Sequence, residues 1–139
     1  MKAFKYLMVF IFLNASIICL AQQESTPSDE VIVHDPVAIK SNGKYYLFCT
    51  GRGIAMFSSE DLEEWKREAP VFSKKPEWTD SVVPNFGNHI WAPDITEFEG
   101  SFYLYYSVSA FAKNTSAIGL AINKTLDLDS DEFVLKTLG

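Results

Sequence analysis

A repeated pattern of short strands is the sequence feature that most constrains the fold. The segment Gly43–Phe48 (GKYYLF) aligns with Gly100–Tyr105 (GSFYLY) at a spacing of 57 residues, and Ser58–Leu62 aligns with Ile122–Leu126 at a spacing of 64. Each copy runs from an acid through a strand, a glycine turn, an aromatic strand and a small-residue strand. A repeated unit with several short strands is typical of β-propeller blades. The sequence therefore predicts an all-β fold with about two blades.

Turn signals predict where the strands of the first copy lie. The pair Asn42-Gly43 is the strongest short-range signal for a two-residue hairpin. It separates a strand around Val37–Ile39 from an aromatic strand over Lys44–Thr50, and after a sharp turn at Gly51–Gly53 a further strand covers Ile54–Ser58. Two blades leave apolar faces and strand edges uncovered, so we expect this chain to be the front part of something larger.

The first 21 residues are predicted to be a secretory signal peptide. A short basic region precedes the apolar run Tyr6–Leu13, and small residues up to Ala21 suit cleavage there. The apolar run is too short for a membrane span, so we expect a secreted or periplasmic protein. Residues 22–30 (QQESTPSDE) are polar and aperiodic and predict a flexible leader. Residues 31–139 then form the propeller domain.

Charge and cysteine content exclude several classes of function. The signal peptide holds two of the 12 basic residues and none of the 18 acidic ones, so the remainder carries a net charge of −8. The sequence has no run of basic residues that could bind a phosphate backbone, which argues against nucleic-acid binding. An acidic exported protein is better suited to binding neutral polymers. Cys49 is the one cysteine after the signal peptide. The sequence therefore predicts no internal disulfide, and it provides no zinc or iron–sulfur ligand set and implies no cofactor.

Two carboxylates each stand beside a proline where a β-rich segment begins, in His34–Pro36 (HDP) and in His89–Asp94 (HIWAPD). A restrained acid near an aromatic ring suits an enzyme that binds a sugar and activates water, although glycoside hydrolysis needs two carboxyl groups. Asp35 is ionised at neutral pH, because the ordinary pKa of aspartate is about 3.9. Pro36 predicts an extended backbone at Asp35. From the residues alone, a general base and an ordinary turn aspartate stay equally open.

The side chains around these acids have competing interpretations. Successive strand residues face opposite ways, so His34 is predicted to point away from the pocket, as a packed or hydrogen-bonding histidine rather than a catalytic one. The indole of Trp91 suits stacking on a sugar face, with a core position as the alternative. For the Phe111 ring, a position in the wall of a groove and a position in the core are equally compatible with the sequence. Trp65 and Trp78 are predicted to be core residues.

Five segments occur in a defined order: VHDP at 33–36, KYYLF at 44–48, HIWAPDI at 89–95, YYSVSAF at 105–111 and NTSAIGL at 114–120. An Asp-Pro pair alone is weak, but the ordered set is specific. It resembles glycoside hydrolase family 43, and within it the secreted arabinan endo-1,5-α-L-arabinosidases. The resemblance extends from about Val33 to Asp127. The SAF to NTSAIG stretch is the part that favours arabinanases over xylosidases.

The resemblance implies a five-bladed β-propeller, of which this chain supplies about the first two blades. It implies inverting hydrolysis of α-1,5-linked arabinan, a plant cell-wall polysaccharide, with Asp35 as general base. The matching proton donor and a third acid are expected in later blades, so the chain alone is predicted to be inactive. A calcium ion is compatible with the full-length protein. The alternative interpretation is a non-catalytic glycan-binding module or a decayed propeller fragment.

The resemblance also bears on two of the remaining candidate residues. It favours substrate contact for Trp91, and for Asp94 a structural or substrate-binding role rather than that of a catalytic acid. Asn114 and Ser116 suit hydrogen bonds to sugar hydroxyls, with the capping of a turn as the equal alternative. The predicted substrate-binding set is Trp91, Asp94, Phe111, Asn114 and Ser116.

Overall fold

The computed structural model describes residues 31–139, so the predicted signal peptide (1–21) and leader (22–30) lie outside the described residues. Two antiparallel sheets hold nearly all of the regular structure, and the one α-helix of this range, α1, is the single turn Thr79–Val82. No helix in residues 31–139 is long and apolar enough to cross a membrane. The prediction of an all-β fold is confirmed.

Each sheet is an antiparallel meander. The strands are β1 (Val37–Ser41), β2 (Lys44–Cys49), β3 (Gly51–Arg52), β4 (Ala55–Ser59), β5 (Lys66–Arg67), β6 (His89–Phe98), β7 (Ser101–Ser109), β8 (Ser116–Asn123) and β9 (Lys136–Leu138). The first sheet has the order β1-β2-β4-β5, and the second has the order β3-β6-β7-β8-β9. Apart from the two-residue β3 at its edge, the second sheet repeats the four-stranded order of the first. This repetition is the two-blade architecture that the sequence predicts.

The same tight turn opens both aromatic strands. Asn42 and Gly43 have φ values of 51° and 83°, and Glu99 and Gly100 have values of 49° and 66°. Positive φ at both central residues is the mark of a type I′ turn, whose twist matches that of the flanking strands. The predicted hairpin at Asn42-Gly43 is therefore confirmed, and its counterpart recurs in the second blade.

The segment Gly51–Gly53, predicted to be a simple turn, also joins the two blades. Gly51 and Arg52 form β3, which pairs with Ile90 and His89 of the second sheet. The turn follows at Gly53 and Ile54, which have φ values of 66° and 61°. The next strand consequently begins one residue later than expected. A two-residue strand that pairs with the neighbouring sheet depends on tertiary contacts, so no local sequence pattern predicts it.

The core lies between the blades. Phe48 and Met56 of the first sheet pack in one buried cluster with Leu104, Tyr106 and Val108 of β7. Trp78 and Trp65, the two tryptophans predicted to be core residues, pack against different clusters. Trp78 packs partly buried against this cluster and its indole N–H donates to the Tyr106 hydroxyl over 3.3 Å, whereas Trp65 packs against a smaller cluster of Cys49, Ala55 and Phe57. Burial raises the pKa of the Cys49 thiol, consistent with a small apolar role.

Candidate active site

Asp35 lies in the loop before β1, with its side chain 40% exposed. One carboxylate oxygen, Oδ2, receives both recorded hydrogen bonds. The Thr50 hydroxyl donates to it over 2.8 Å, and His34 Nδ1 lies 2.7 Å away. Oδ1 has no hydrogen-bond partner among the described residues. The recorded hydrogen bonds therefore hold one oxygen of a carboxylate whose side chain stays partly exposed.

Two predictions about this loop were wrong. Asp35 is not extended, because its φ is 51°, and His34 does not point away from the pocket, because its Nδ1 lies 2.7 Å from Asp35 Oδ2. Aspartate tolerates the left-handed region better than most residues, and the contacts from Thr50 outweigh the preference that Pro36 imposes. The backbone N–H of Thr50 also donates to the His34 carbonyl over 3.0 Å. Alternation of side chains applies only within strands, and β1 begins after this loop.

Hydrogen bonding sets the charge state of Asp35. The bond from Thr50 and then that from His34 lower the pKa of its carboxyl group below the ordinary value, and the small desolvation effect in the opposite direction is outweighed. Donors to a carboxylate favour its ionised form. Asp35 is thus an anion throughout the neutral range, as a general base must be.

Thr50, which the sequence interpretation missed, joins this loop to the second blade. Its hydroxyl accepts a hydrogen bond from the backbone N–H of Ala92 over 2.9 Å. The sequence did contain a signal that could have identified Thr50. The β1–β2 register pairs Val37 with Phe48, and continuing that register by two residues places Thr50 opposite Asp35. The Asn-Gly turn fixes this register.

A β-bulge gives the HIWAPD motif its geometry. Trp91 pairs with Ser107 and Asp94 pairs with Tyr105, so Ala92 and Pro93 together oppose one residue of β7. In a regular strand, residues three apart face opposite sides. The bulge instead places Trp91 and Asp94 on the same face of the sheet. Ala92 adopts a φ of 41° within it.

The Trp91 indole is partly buried and is held by a neighbouring ring. Its ring contacts that of His89 edge to face, with 4.5 Å between the centroids. Its Nε1 atom is buried and has no hydrogen-bond partner within residues 31–139. Indole N–H groups usually find a partner when they are buried. Within residues 31–139, the partial exposure of Trp91 therefore excludes a fully buried core position for its ring.

The other predicted site residues lie on the surface. Asp94, Asn114 and Ser116 are exposed, and no side-chain hydrogen bond of these three is recorded within the described part of the chain. The loop that carries Asn114 is closed instead by a backbone bond from Lys113 to Ala110 over 3.1 Å. Phe111 is 87% exposed, so this ring lies outside the core that residues 31–139 form.

Topology gathers these residues at one end of the two blades. Asp35 precedes β1 and Thr50 follows β2, so both lie at the same end of that hairpin. The start of β6, the end of β7 and the start of β8 likewise coincide, because Trp91 pairs with Ser107 and Ser109 pairs with Ser116. The Thr50–Ala92 hydrogen bond joins the two ends. This end of the blades therefore carries the ionised, partly exposed Asp35 carboxylate together with the rings of Trp91 and Phe111.

Metal binding finds no support in this region. Within residues 31–139, no three His, Cys, Asp or Glu side chains lie close enough together to hold a metal ion. A calcium ion in the full-length protein, which the resemblance allows, stays a prediction, and no step below depends on one.

Sequence comparison identifies relatives over nearly the whole chain. The family model for glycosyl hydrolases family 43 matches residues 26–133. An extracellular exo-α-(1→5)-L-arabinofuranosidase of Cellvibrio japonicus is 46% identical over 92% of this chain and 35% of its own length. An extracellular endo-α-(1→5)-L-arabinanase of Bacillus subtilis is 40% identical over 68% of this chain and 31% of its own length. The chain spans about a third of the length of these curated relatives.

Solved structures agree with this result. An α-L-arabinanase of Cellvibrio cellulosa in complex with arabinohexaose is 48% identical, with a TM-score of 0.75, and the match covers 79% of this chain and 35% of that one. An exo-1,5-α-L-arabinanase from a bovine ruminal metagenomic library is 44% identical with a TM-score of 0.73, covering 77% and 36%. The predicted family fold, a five-bladed β-propeller, is confirmed, and the described residues supply about two of its blades.

Proposed function

The chain belongs to glycosyl hydrolase family 43, and on that basis we propose that it serves in the inverting hydrolysis of α-1,5-linked arabinan with Asp35 as the general base. One observation carries the assignment. The Asp35 carboxylate is ionised and exposed, and its two recorded hydrogen bonds meet at Oδ2. A carboxylate held in this way presents Oδ1 to a water molecule.

The proposed reaction is a single displacement. Oδ1 of Asp35 removes a proton from water as the water attacks the anomeric carbon, while an acid protonates the leaving oxygen. Inverting enzymes hold the two carboxyl groups about 6.5–9.5 Å apart. Asp94 is not assigned as that acid, and we place the proton donor outside residues 31–139. Residues 22–139 alone are accordingly expected to show no measurable turnover, because one half of the acid–base pair is absent.

The proposed substrate is a neutral arabinan chain. The two curated relatives are named for α-(1→5)-L-arabinan chemistry. Trp91 offers a partly exposed ring and Phe111 offers an exposed ring, so both suit contact with a sugar chain. Asp94, Asn114 and Ser116 supply polar groups for hydroxyls. The same two relatives are named extracellular, which supports export through the signal peptide at 1–21 and a secreted or periplasmic location.

Hydrolysis by the complete protein tests the assignment. Linear 1,5-α-arabinan is incubated with the wild type and with Asp35→Asn, and proton NMR follows the anomer that appears first. We expect the inverted anomer from the wild type and a loss of about 10²- to 10⁴-fold in kcat for Asp35→Asn. Asp131→Asn changes an exposed aspartate outside the candidate site, so it is the matched control and keeps its kcat. Retention of configuration, or an active Asp35→Asn, contradicts the proposal.

A glycan-binding module is the second candidate, and the exposed Phe111 ring favours it. This candidate predicts that the complete protein binds arabinan saturably without cleaving it. It also predicts that Asp35→Asn binds as tightly as the wild type. Isothermal titration with linear arabinan oligosaccharides, together with the NMR assay, separates the two functions.

A further inference from the structure

The Thr50 hydroxyl is the one side-chain group within residues 31–139 that bonds both to Asp35 and to the second blade. It lies 2.8 Å from Asp35 Oδ2 and 2.9 Å from the backbone nitrogen of Ala92. A hydroxyl has one proton to donate, whereas a backbone N–H can only donate. Thr50 must therefore accept from Ala92, and its proton is directed at Asp35. The direction of both hydrogen bonds is fixed by chemistry.

This polarity determines which carboxylate oxygen is available. Oδ2 is occupied as an acceptor by Thr50 and, when Nδ1 carries a proton, by His34. A proton on Oδ2 would have to displace one of these donors. Oδ1, which has no partner in the described part of the chain, is then the oxygen that meets water. Thr50 thus favours the ionised form of the Asp35 carboxylate and determines which of its two oxygens is left to react.

The same Thr50 hydroxyl sets the position of Asp35 relative to the strand segment that carries Trp91. Ala92 lies in the bulge between Trp91 and Asp94, with a φ of 41°. Asp35 is held at a φ of 51° in the other blade. Two left-handed residues, 57 positions apart in the sequence, are therefore coupled through one side chain. Strained backbone at such a point persists only where the surroundings hold it.

We propose that Thr50 is a positioning residue of the reaction, which orients the Asp35 carboxylate toward water and fixes its place beside Trp91. This inference rests on the proposed function, because it assigns Thr50 to the base of that reaction. Thr50 does not touch the reacting atoms and acts through Asp35. A purely structural link between blades is the competing account, and it predicts an effect on stability alone.

Three variants separate these accounts. Thr50→Val keeps the shape and removes the hydroxyl, whereas Thr50→Ser keeps the hydroxyl and removes a methyl group. Thr50→Cys replaces the hydroxyl with a weak donor, and it provides the comparison if Thr50→Val does not fold. Each variant is made in the complete protein and assayed on linear 1,5-α-arabinan for kcat and KM across pH. The Asp35 carboxyl is titrated in parallel by carbon-13 NMR.

For Thr50→Val we expect kcat to fall by about 10²-fold with KM little changed, which is the size of effect that misplacing a catalytic group produces. The Asp35 pKa and the acidic limb of the kcat/KM profile both move to higher pH, and Thr50→Ser restores both. His34 is the one charged group recorded as acting on the Asp35 pKa, and it is unchanged in every variant. Thr50→Cys lies between Ser and Val.

Two results overturn the inference. The first is a Thr50→Val variant, or a Thr50→Cys variant if the former is unfolded, whose Asp35 titration matches that of the wild type. The second is a variant that melts at a lower temperature but keeps the wild-type kcat and pH profile when folded. Absence of arabinan cleavage by the wild type contradicts the proposed function instead. In that case the NMR titration still decides whether Thr50 controls Asp35.

Discussion

Thr50 lies opposite Asp35 in the continued register of the β1–β2 hairpin, and its hydroxyl meets the carboxylate at 2.8 Å. The turn at Asn42-Gly43, at the far end of the hairpin, therefore determines which residue faces Asp35. A shift of register by one residue would turn every side chain to the other face. The hairpin is thus part of the machinery that positions the candidate base.

The carboxyl group of Asp35 is expected to make stability depend on acid pH. Its folded-state pKa is lowered, first by the hydrogen bond from Thr50 and then by that from His34. A lowered pKa gives a stabilising contribution that is complete above the ordinary value of 3.8 and is lost as the pH falls through the folded value. Thermal melts of the wild type and of Asp35→Asn should converge as the pH falls below that value. Parallel curves of Tm against pH would contradict this account.

Ser58 is expected to stabilise the first blade through Glu68. The buried Ser58 hydroxyl donates to Glu68 Oε1 over 2.6 Å, and Lys66 Nζ lies 3.0 Å from Oε2. Ser58→Ala leaves the largely buried carboxylate short of a donor, so the free energy of unfolding should fall by about 1–3 kcal/mol. Lys66→Met is the control. The Lys66 side chain is 69% exposed, so we expect a loss below about 1 kcal/mol. Urea unfolding measures both, and equal losses would refute the argument.

Gly119 is expected to tolerate no side chain. A Cβ atom there would overlap the Tyr106 ring and lie 2.7 Å from Trp78 Cζ2. Gly119→Ala should lower the free energy of unfolding by about 1–3 kcal/mol through overpacking. Gly87→Ala is the matched control, because a Cβ atom at that exposed position meets nothing within 4 Å. Chemical denaturation of the two variants checks this, and similar midpoints would show that the core adapts.

Phe111 is expected to contribute to binding and not to folding. Its ring is 87% exposed, so Phe111→Ala should change the free energy of unfolding by no more than about 0.5 kcal/mol while weakening the affinity for arabinan oligosaccharides. Phe102→Ala provides the contrast. Phe102 is buried in the core, so its loss should cost about 3–5 kcal/mol. Thermal melts and calorimetric titration separate the two effects. An unchanged affinity in Phe111→Ala would remove this ring from the substrate-binding set.

Much of the blade structure could be predicted because its signals are local. The pairs Asn42-Gly43 and Glu99-Gly100 supply the positive φ angles of type I′ turns, and the aromatic strands that follow carry the apolar pattern of a core. The details of the site could not be predicted in this way. The extended backbone expected at Asp35 follows from Pro36 alone, but hydrogen bonds from Thr50 decide the observed conformation. The bulge at Ala92 and Pro93 did have one local signal, because a proline within a sheet is confined to edges, strand starts and bulges.

The sequence by itself determined the repeated blade and the register of the first hairpin, because turn chemistry and side-chain alternation act over a few residues. Asp35 became the candidate base only through the resemblance of five ordered segments to a known family. Only the tertiary structure decided that His34 lies against Asp35, that Trp91 and Asp94 share one face, and that Thr50 connects the two blades. The Thr50–Ala92 hydrogen bond spans 42 residues of sequence. Such a contact forms only after both blades have folded and packed, so its geometry depends on the whole core and not on any local pattern.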